Sequence, residues 1–246
     1  MVRGAAFDDA VTRARRLPSL RVGLHLVLCD GRPVLSPDAI LDLVDARGNF
    51  RVDMTRLGFE IFVRRKVREQ VAAEIEAQFA AYQATGLPLD HVNAHHHFHV
   101  HPTIAAEILD TGQRYGMRAL RTPLEPTRTL NRIEAHGSIG NDTITHTFAA
   151  LLRMRARKSR LIAPDQVFGI AWSGAMTEKR VAALLQALPD GISEMYYHPA
   201  TTNDFDGATR GYRYTDELAA LTAPAVRECV RSARASIGGF VDVTRA

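Results

Sequence analysis

Apolar positions along the chain follow helical spacing in some stretches and form short continuous runs in others. In the clearest helical stretch, apolar residues recur every three or four positions, which predicts one buried helix face ending at Gly86. The residues of that face are Val67, Val71, Ile75, Phe79 and Tyr82. Further helices are predicted over residues 7–16, after Pro102, after an N-cap at Thr177, and from near Thr215.

Short apolar runs separate these helices and are typical of buried strands. They cover residues 21–28, 117–121, 167–171 and 194–197, with a histidine-rich strand after position 90. Strands that alternate with helices predict an α/β fold with a mainly parallel sheet and helices outside it, either open or closed as a barrel. We expect a single domain over residues 1–246. Its least regular stretch, residues 127–162, is predicted to be an insertion or a lid.

The composition is ordinary for a globular protein, with 46% hydrophobic and 24% charged residues. No apolar run approaches the ~18 residues of a membrane span, and we recognise no signal peptide. The two cysteines, Cys29 and Cys229, lie far apart and imply no disulfide framework. These features predict a cytoplasmic protein.

The net charge of +4 is spread along the chain, with one basic cluster. This cluster consists of Arg153, Arg155, Arg157, Lys158 and Arg160. It is either a solvated helix end or a patch for an anionic partner such as a membrane surface. A nucleic-acid partner is not expected, because no aromatic residues for base stacking interleave the cluster.

Six of the ten histidines lie between Asp90 and Pro102. On an extended strand, His95, His97 and His99 would project to the same side. Three aligned imidazoles suit a divalent metal, since neutral imidazole is a common ligand for zinc and related ions. The alternative is a run of hydrogen-bonded surface histidines.

Three histidines fall at predicted strand ends, where α/β folds place their ligands. They are His25, His95 and His198. Two imidazoles and one carboxylate form a metal site that keeps positions open for water and substrate. A third histidine that does not bind the metal suits the protonation of a leaving group. Each of them, taken alone, has the alternative of a hydrogen-bonded histidine near the core.

Two further residues have both a functional and a structural interpretation. Arg121 ends a predicted strand, where it would bind a substrate oxygen or pair with Glu125 or Glu194. Trp172 follows another strand and would stack on a sugar or belong to the core.

At these positions the sequence resembles the YdjC-like carbohydrate deacetylases, and within them the hopanoid-biosynthesis-associated HpnK group. The matching motifs keep the order of the family and extend over most of the chain. They are Gly-Leu-His-Leu at 23–26 with Gly-Arg-Pro at 31–33, Asp-His-Val-Asn-Ala-His-His-His-Phe-His at 90–99, Leu-Arg-Thr-Pro at 120–123, Phe-Gly-Ile-Ala-Trp-Ser-Gly at 168–174, and Glu-Met-Tyr-Tyr-His-Pro-Ala at 194–200.

The resemblance implies a deformed (β/α) barrel that hydrolyses an N-acetyl group on an amino sugar with a divalent metal, Mg²⁺ or Zn²⁺. By the same resemblance, His25 and His95 are metal ligands and His198 is the general acid. We expect His97, Arg121 and Trp172 to contact substrate. The HpnK likeness implies a sugar on a hopanoid lipid, which would suit peripheral membrane contact, and a homodimer is one expected assembly.

The third metal ligand and the catalytic base of the family are adjacent aspartates in an Asp-Asp-Phe-Gly motif, which these 246 residues lack. Asp8-Asp9 is no substitute, because Ala10-Val11 follows it inside a predicted helix. We therefore expect that the first strand and helix, roughly one βα unit, are missing from this chain. The alternatives are an inactive metal- or sugar-binding protein and, less well matched in spacing, an amidohydrolase-type metallohydrolase.

Overall fold

The computed structural model describes residues 1–134, 143–233 and 235–243. The chain divides into two compact units, where the sequence predicted one domain. The first unit holds residues Met1–Arg121, Thr147–Ala163 and Gly238–Ala246. The second holds Thr122–His146 and Pro164–Ile237. A single deacetylase domain over the whole chain stays a prediction.

The first unit is built on two parallel strands, β1 (Leu24–Leu26) and β2 (Val92–Ala94), with His25 opposite Asn93. Single parallel bridges join Val92 to Leu120 and Ala119 to Ile162, so the pairing continues beyond the two strands. The helices of this unit are α1 (Phe7–Arg16), α2 (Met54–Val63), α3 (Arg65–Gln83) and α4 (Pro102–Arg114), followed by the later part of α6 (Thr143–Lys158).

Helix α3 confirms the clearest pattern in the sequence. All five residues of the predicted apolar face are buried, and the helix ends three residues before Gly86, whose φ is +72°. A positive φ costs glycine little, which explains why the chain turns there. Burial of this face contributes to the core that surrounds β1 and β2.

The second unit contains another parallel pair, β3 (Gln166–Phe168) and β4 (Ser193–Met195). Its helices are α5 (Thr127–Ile133), α7 (Glu178–Gln186), α8 (Tyr214–Thr222) and α9 (Pro224–Ser232). Its own hydrophobic cluster gathers around Phe168, Trp172, Met176 and Leu184.

Helices α5 and α6 correct the expectation of an irregular segment over residues 127–162. Both helices form in the described part of that stretch, and residues 135–142 lie outside the described residues. A lid function for this stretch stays a prediction.

The mixed α/β class and the parallel strands are confirmed, although the strands are shorter than their apolar runs suggested. A closed barrel stays a prediction. Among the described residues, no helix combines the length and the apolar character needed to cross a bilayer.

Candidate active site

The histidine-rich segment does not form the extended strand that the sequence predicted. Strand β2 ends at Ala94, and residues 95–100 form 3₁₀ turns interrupted at His96 and His97, where φ is +50° and +55°. Alternate residues do not share one face in such turns. The expectation that His95, His97 and His99 line up on one side of a strand was therefore wrong.

Left-handed backbone occurs in this segment and in the loop after β1. Besides His96 and His97, Asp30 has a φ of +48°. Each such conformation costs a residue with a Cβ about 1–2 kcal/mol. Strained conformations of this kind gather at functional sites, where the surrounding structure maintains them.

Two histidines of the segment are held by backbone carbonyls. The Nε2–H of buried His99 donates to the carbonyl oxygen of Arg121 at 2.9 Å, and His101 donates to that of Gly58 at 3.1 Å. Burial lowers the pKa of His99 to about 4 and also lowers the pKa of His101, so both rings are neutral at neutral pH. They fit the structural alternative, a hydrogen-bonded histidine.

His91 also has a structural partner. Its Nδ1 lies 2.8 Å from the carboxylate of Asp90. That carboxylate accepts the backbone N–H groups of Phe240 and Val241, both at 3.1 Å, and so ties the C-terminal segment to the first unit.

His25 is oriented by its neighbour across the sheet. Its Nδ1 lies 2.5 Å from the side-chain oxygen of Asn93. Because that oxygen can only accept a hydrogen bond, the ring proton is on Nδ1, and the lone pair of Nε2 is available to a metal. Burial lowers the pKa of His25 to about 3, so the ring is neutral over the whole physiological range. A neutral, oriented imidazole is the form that binds a metal.

His95 lies beside His25 and begins a second group of donors. The two rings meet edge to face with centroids 5.7 Å apart, and the rings of His95 and His96 are 4.0 Å apart. Asp30, His95 and His96 each place one ligand atom within 4.8 Å of the others. The Nε2 of His96 lies 3.4 Å from the carboxylate of Asp30.

The chemistry of this donor set fits a divalent metal. Imidazole nitrogens and a carboxylate oxygen are ligands that zinc and related transition metals accept. Mg²⁺ prefers oxygen ligands, so this set on its own resembles zinc ligation more closely. The residues whose ligand atoms lie together are the half-buried His95 and the exposed His96 and Asp30, and the half-buried His25 lies beside His95.

Of the two substrate residues predicted in the first unit, His97 follows His96 directly, and Arg121 is joined to β2 through its backbone. His97 is half-buried, with its ring centroid 6.1 Å from that of His99. Arg121 is 8% exposed, and its backbone N–H donates to the carbonyl oxygen of Val92. Contact of His97 and Arg121 with a substrate stays a prediction.

His198 belongs to the second unit, just after β4. Its backbone N–H donates to the carboxylate of Glu217, which is fully buried and also accepts the N–H of Met176. The rings of Tyr196 and Tyr212 approach its imidazole, with centroids at 5.5 and 5.1 Å. The backbone of His198 is therefore anchored by a hydrogen bond that does not involve the imidazole.

Trp172 is only 2% exposed and belongs to the cluster of the second unit. The guanidinium of Arg180 lies over its ring at 5.1 Å, a cation–π distance. This environment matches the core interpretation of Trp172. Its contact with a sugar stays a prediction.

Asn93, Asp30 and Glu217 were not among the predicted site residues, and Glu125 was expected only as an ion-pair partner of Arg121. The carboxylate of Glu125 accepts the backbone N–H groups of three successive residues after β3, at 2.7–3.1 Å. Asn93 stands in the histidine-rich motif, but its place opposite His25 depends on the register of β1 and β2, which the sequence did not predict. Nothing in the sequence marked Asp30 as a site residue, because an Asp-Gly pair is typical of a turn.

Comparison with known proteins places these residues in a family. The family model described as "YdjC-like protein" matches residues 1–232. A carbohydrate deacetylase of Geobacillus stearothermophilus is 28% identical over 227 residues, covering 91% of this chain and 76% of that protein. One of Brevibacillus brevis is 38% identical over 115 residues, which are 47% of this chain and 43% of that protein.

A solved structure shares the fold. It is that of a candidate cellobiose-phosphate cleavage protein from Enterococcus faecalis V583, with a TM-score of 0.73, 23% identity, and coverage of 98% of this chain and 85% of that one. The resemblance to the carbohydrate deacetylase family is thus confirmed, and the HpnK subgroup stays a prediction. With a family match over nearly its whole length and several curated relatives named carbohydrate deacetylase, the chain belongs to the YdjC-like family.

Proposed function

We propose that this chain is a metal-dependent deacetylase that removes the N-acetyl group from an acetylamino sugar. The observation that carries the proposal is the grouping of Asp30, His95 and His96 beside His25 in a YdjC-like chain. A sugar linked to a hopanoid lipid is the substrate that the HpnK resemblance favours. A closed barrel, a homodimer and a cytoplasmic location are further parts of this proposal.

In this mechanism, His25 and His95 would hold the metal by imidazole nitrogens. A divalent metal bound there would polarise the acetyl carbonyl and lower the pKa of a bound water, which would then give up its proton to solvent near neutral pH. Asn93 keeps the Nε2 lone pair of His25 available, because its oxygen accepts the Nδ1 proton. Asp30 is the carboxylate that the first unit brings to His95 and His96.

The remaining roles concern proton transfer and charge. Amide hydrolysis expels an amine, which leaves readily only after it is protonated, and we assign that donation to His198. Arg121 is assigned to an oxygen of the substrate, since a guanidinium stays charged at every physiological pH. These two roles are carried over from the family motifs.

The function is tested by acetate release. The protein is incubated with an N-acetylhexosamine oligosaccharide in the presence of Zn²⁺, Mg²⁺ or a chelator, and free acetate is measured. We expect acetate with at least one metal and none with the chelator. Acetate release that persists in the chelator would contradict metal dependence, and its absence with every metal would favour the second candidate below.

Asp30 provides a separate test of the ligand set. Asp30→Asn removes the negative charge with little change in shape, and it should weaken divalent metal binding about 10–100-fold. Isothermal titration calorimetry with Zn²⁺ measures this directly, without any substrate. Asp38→Asn, an exposed aspartate elsewhere in the first unit, is the matched control. Equal affinities of the Asp30 variant and the unmodified chain would remove Asp30 from the site.

A second candidate is a metal- or sugar-binding protein that does not catalyse. The observation that favours it is the lack of an Asp-Asp-Phe-Gly motif in these 246 residues, since the family takes its base from that motif. Such a protein would bind Zn²⁺ through His25 and His95 and still release no acetate. Metal titration and the acetate assay, done on one preparation, separate the two candidates.

A further inference from the structure

Helix α2 exposes a row of large apolar side chains. Phe59, Phe62 and Val63 are spaced three and four residues apart and so share one face of the helix. Their exposed fractions are 65%, 47% and 57%, whereas Leu57 and Ile61 on the opposite face are fully buried. Within the described residues, these three side chains form a contiguous apolar ridge, which we call the α2 face.

Cations border the α2 face, and most of their acidic partners are largely buried, whereas Glu69, the partner of Arg65, is 60% exposed. Asp42 and Glu60 accept most of the neighbouring ion pairs, and their side chains are only 15% and 11% exposed. Four cationic side chains, one in the first turn of α2 and three around its junction with α3, are more exposed. They are Arg56 (72% exposed), Arg64 (46%), Arg65 (85%) and Lys66 (68%).

The α2 face is held in place from beneath. Asp53 caps the helix by accepting the N–H of Arg56, and His101 donates to the carbonyl of Gly58 within the helix. The ring of Phe62 also lies against that of His101, with centroids 4.1 Å apart. The exposed ridge is thus presented on a helix that is fixed to the histidine-rich segment.

We propose that the α2 face docks this protein onto the surface of an anionic lipid bilayer. Aromatic and aliphatic side chains on one helix face, bordered by arginine and lysine, are the pattern of helices that lie in the bilayer interface. The apolar side chains enter the acyl boundary while the cations meet the negatively charged headgroups. This docking is independent of whether the protein deacetylates a sugar.

Two other occupants fit the α2 face less well. A second copy in a twofold dimer would bring the same cations against one another, which is unfavourable. A nucleic acid would be attracted by the cations but would leave the apolar ridge without a suitable partner, because phosphate backbones offer no apolar contact.

Vesicle flotation with the full chain tests the proposal. The protein should float with phosphatidylcholine vesicles that contain phosphatidylserine and remain unbound with pure phosphatidylcholine. The double variant Phe59→Ser/Val63→Ser should reduce partitioning at least roughly tenfold. Arg65→Gln/Lys66→Gln should reduce it roughly fivefold for each charge removed.

Met154→Ser is the matched control. Met154 is 59% exposed and lies within the basic cluster of residues 153–160, the rival membrane patch. We expect this variant to bind like the unmodified chain. Unchanged binding of Phe59→Ser/Val63→Ser, loss of binding in Met154→Ser, or no preference for phosphatidylserine would each overturn the proposal. A dimer, seen by sedimentation without lipid and abolished by Phe59→Ser/Val63→Ser, would overturn it in favour of self-association.

Discussion

Replacing His95 with alanine should weaken divalent metal binding by at least about 100-fold. Loss of an outer partner of a metal ligand already costs about 10–100-fold, and His95 is proposed as a direct ligand. Its ring lies next to those of both His25 and His96, so its removal separates His25 from the group formed with His96 and Asp30. Acetate release should fall with the metal content.

Elemental analysis and Zn²⁺ titration measure the loss, and circular dichroism verifies the fold. His146→Ala is the matched control, because His146 is an exposed histidine outside the segment. His25→Ala should behave like His95→Ala. If His95→Ala keeps the metal content of the control, the ligand set around His25 and His95 is wrong.

This prediction depends on geometry that the sequence revealed only in part. The helical period of α3 was readable because buried and exposed positions alternate regularly over five turns. The mainly parallel sheet followed from the alternation of strands and helices, whereas the pairing of β1 with β2 is known only from the structure. The helical period and the parallel sheet both arise from patterns that repeat along the chain.

The arrangement of the histidines was not readable in the same way. Repeated His-x-His spacing suggested a strand, but His96 and His97 take left-handed conformations that are uncommon for residues with a Cβ. Tertiary packing imposes them, since His99 and His101 are each fixed by a carbonyl from elsewhere in the first unit. Asp30 joins the group only because a loop residue with positive φ turns toward His96.

His198→Gln should leave the metal content unchanged and lower acetate release by roughly 10²–10⁴, the usual contribution of a positioned general acid. The residue is anchored through its backbone N–H to Glu217, a bond that glutamine keeps. Because the proton is transferred only in the transition state, kcat should fall while KM stays nearly constant. Kinetics on an N-acetylhexosamine oligosaccharide, with metal analysis of the same sample, measure both quantities.

A variant next to His198 tests whether the imidazole matters only for packing. Tyr212 lies against its ring and shares a hydrogen bond with Ser173 at 2.7 Å, so Tyr212→Phe perturbs the packing around the imidazole without removing it. If His198 supplies the proton, His198→Gln should lose far more activity than Tyr212→Phe at equal thermal stability. Equal losses in the two variants, or a His198→Gln enzyme with unchanged turnover, would show that the imidazole is not the acid. In that case another group must protonate the departing amine, since an unprotonated amide nitrogen is a poor leaving group at neutral pH.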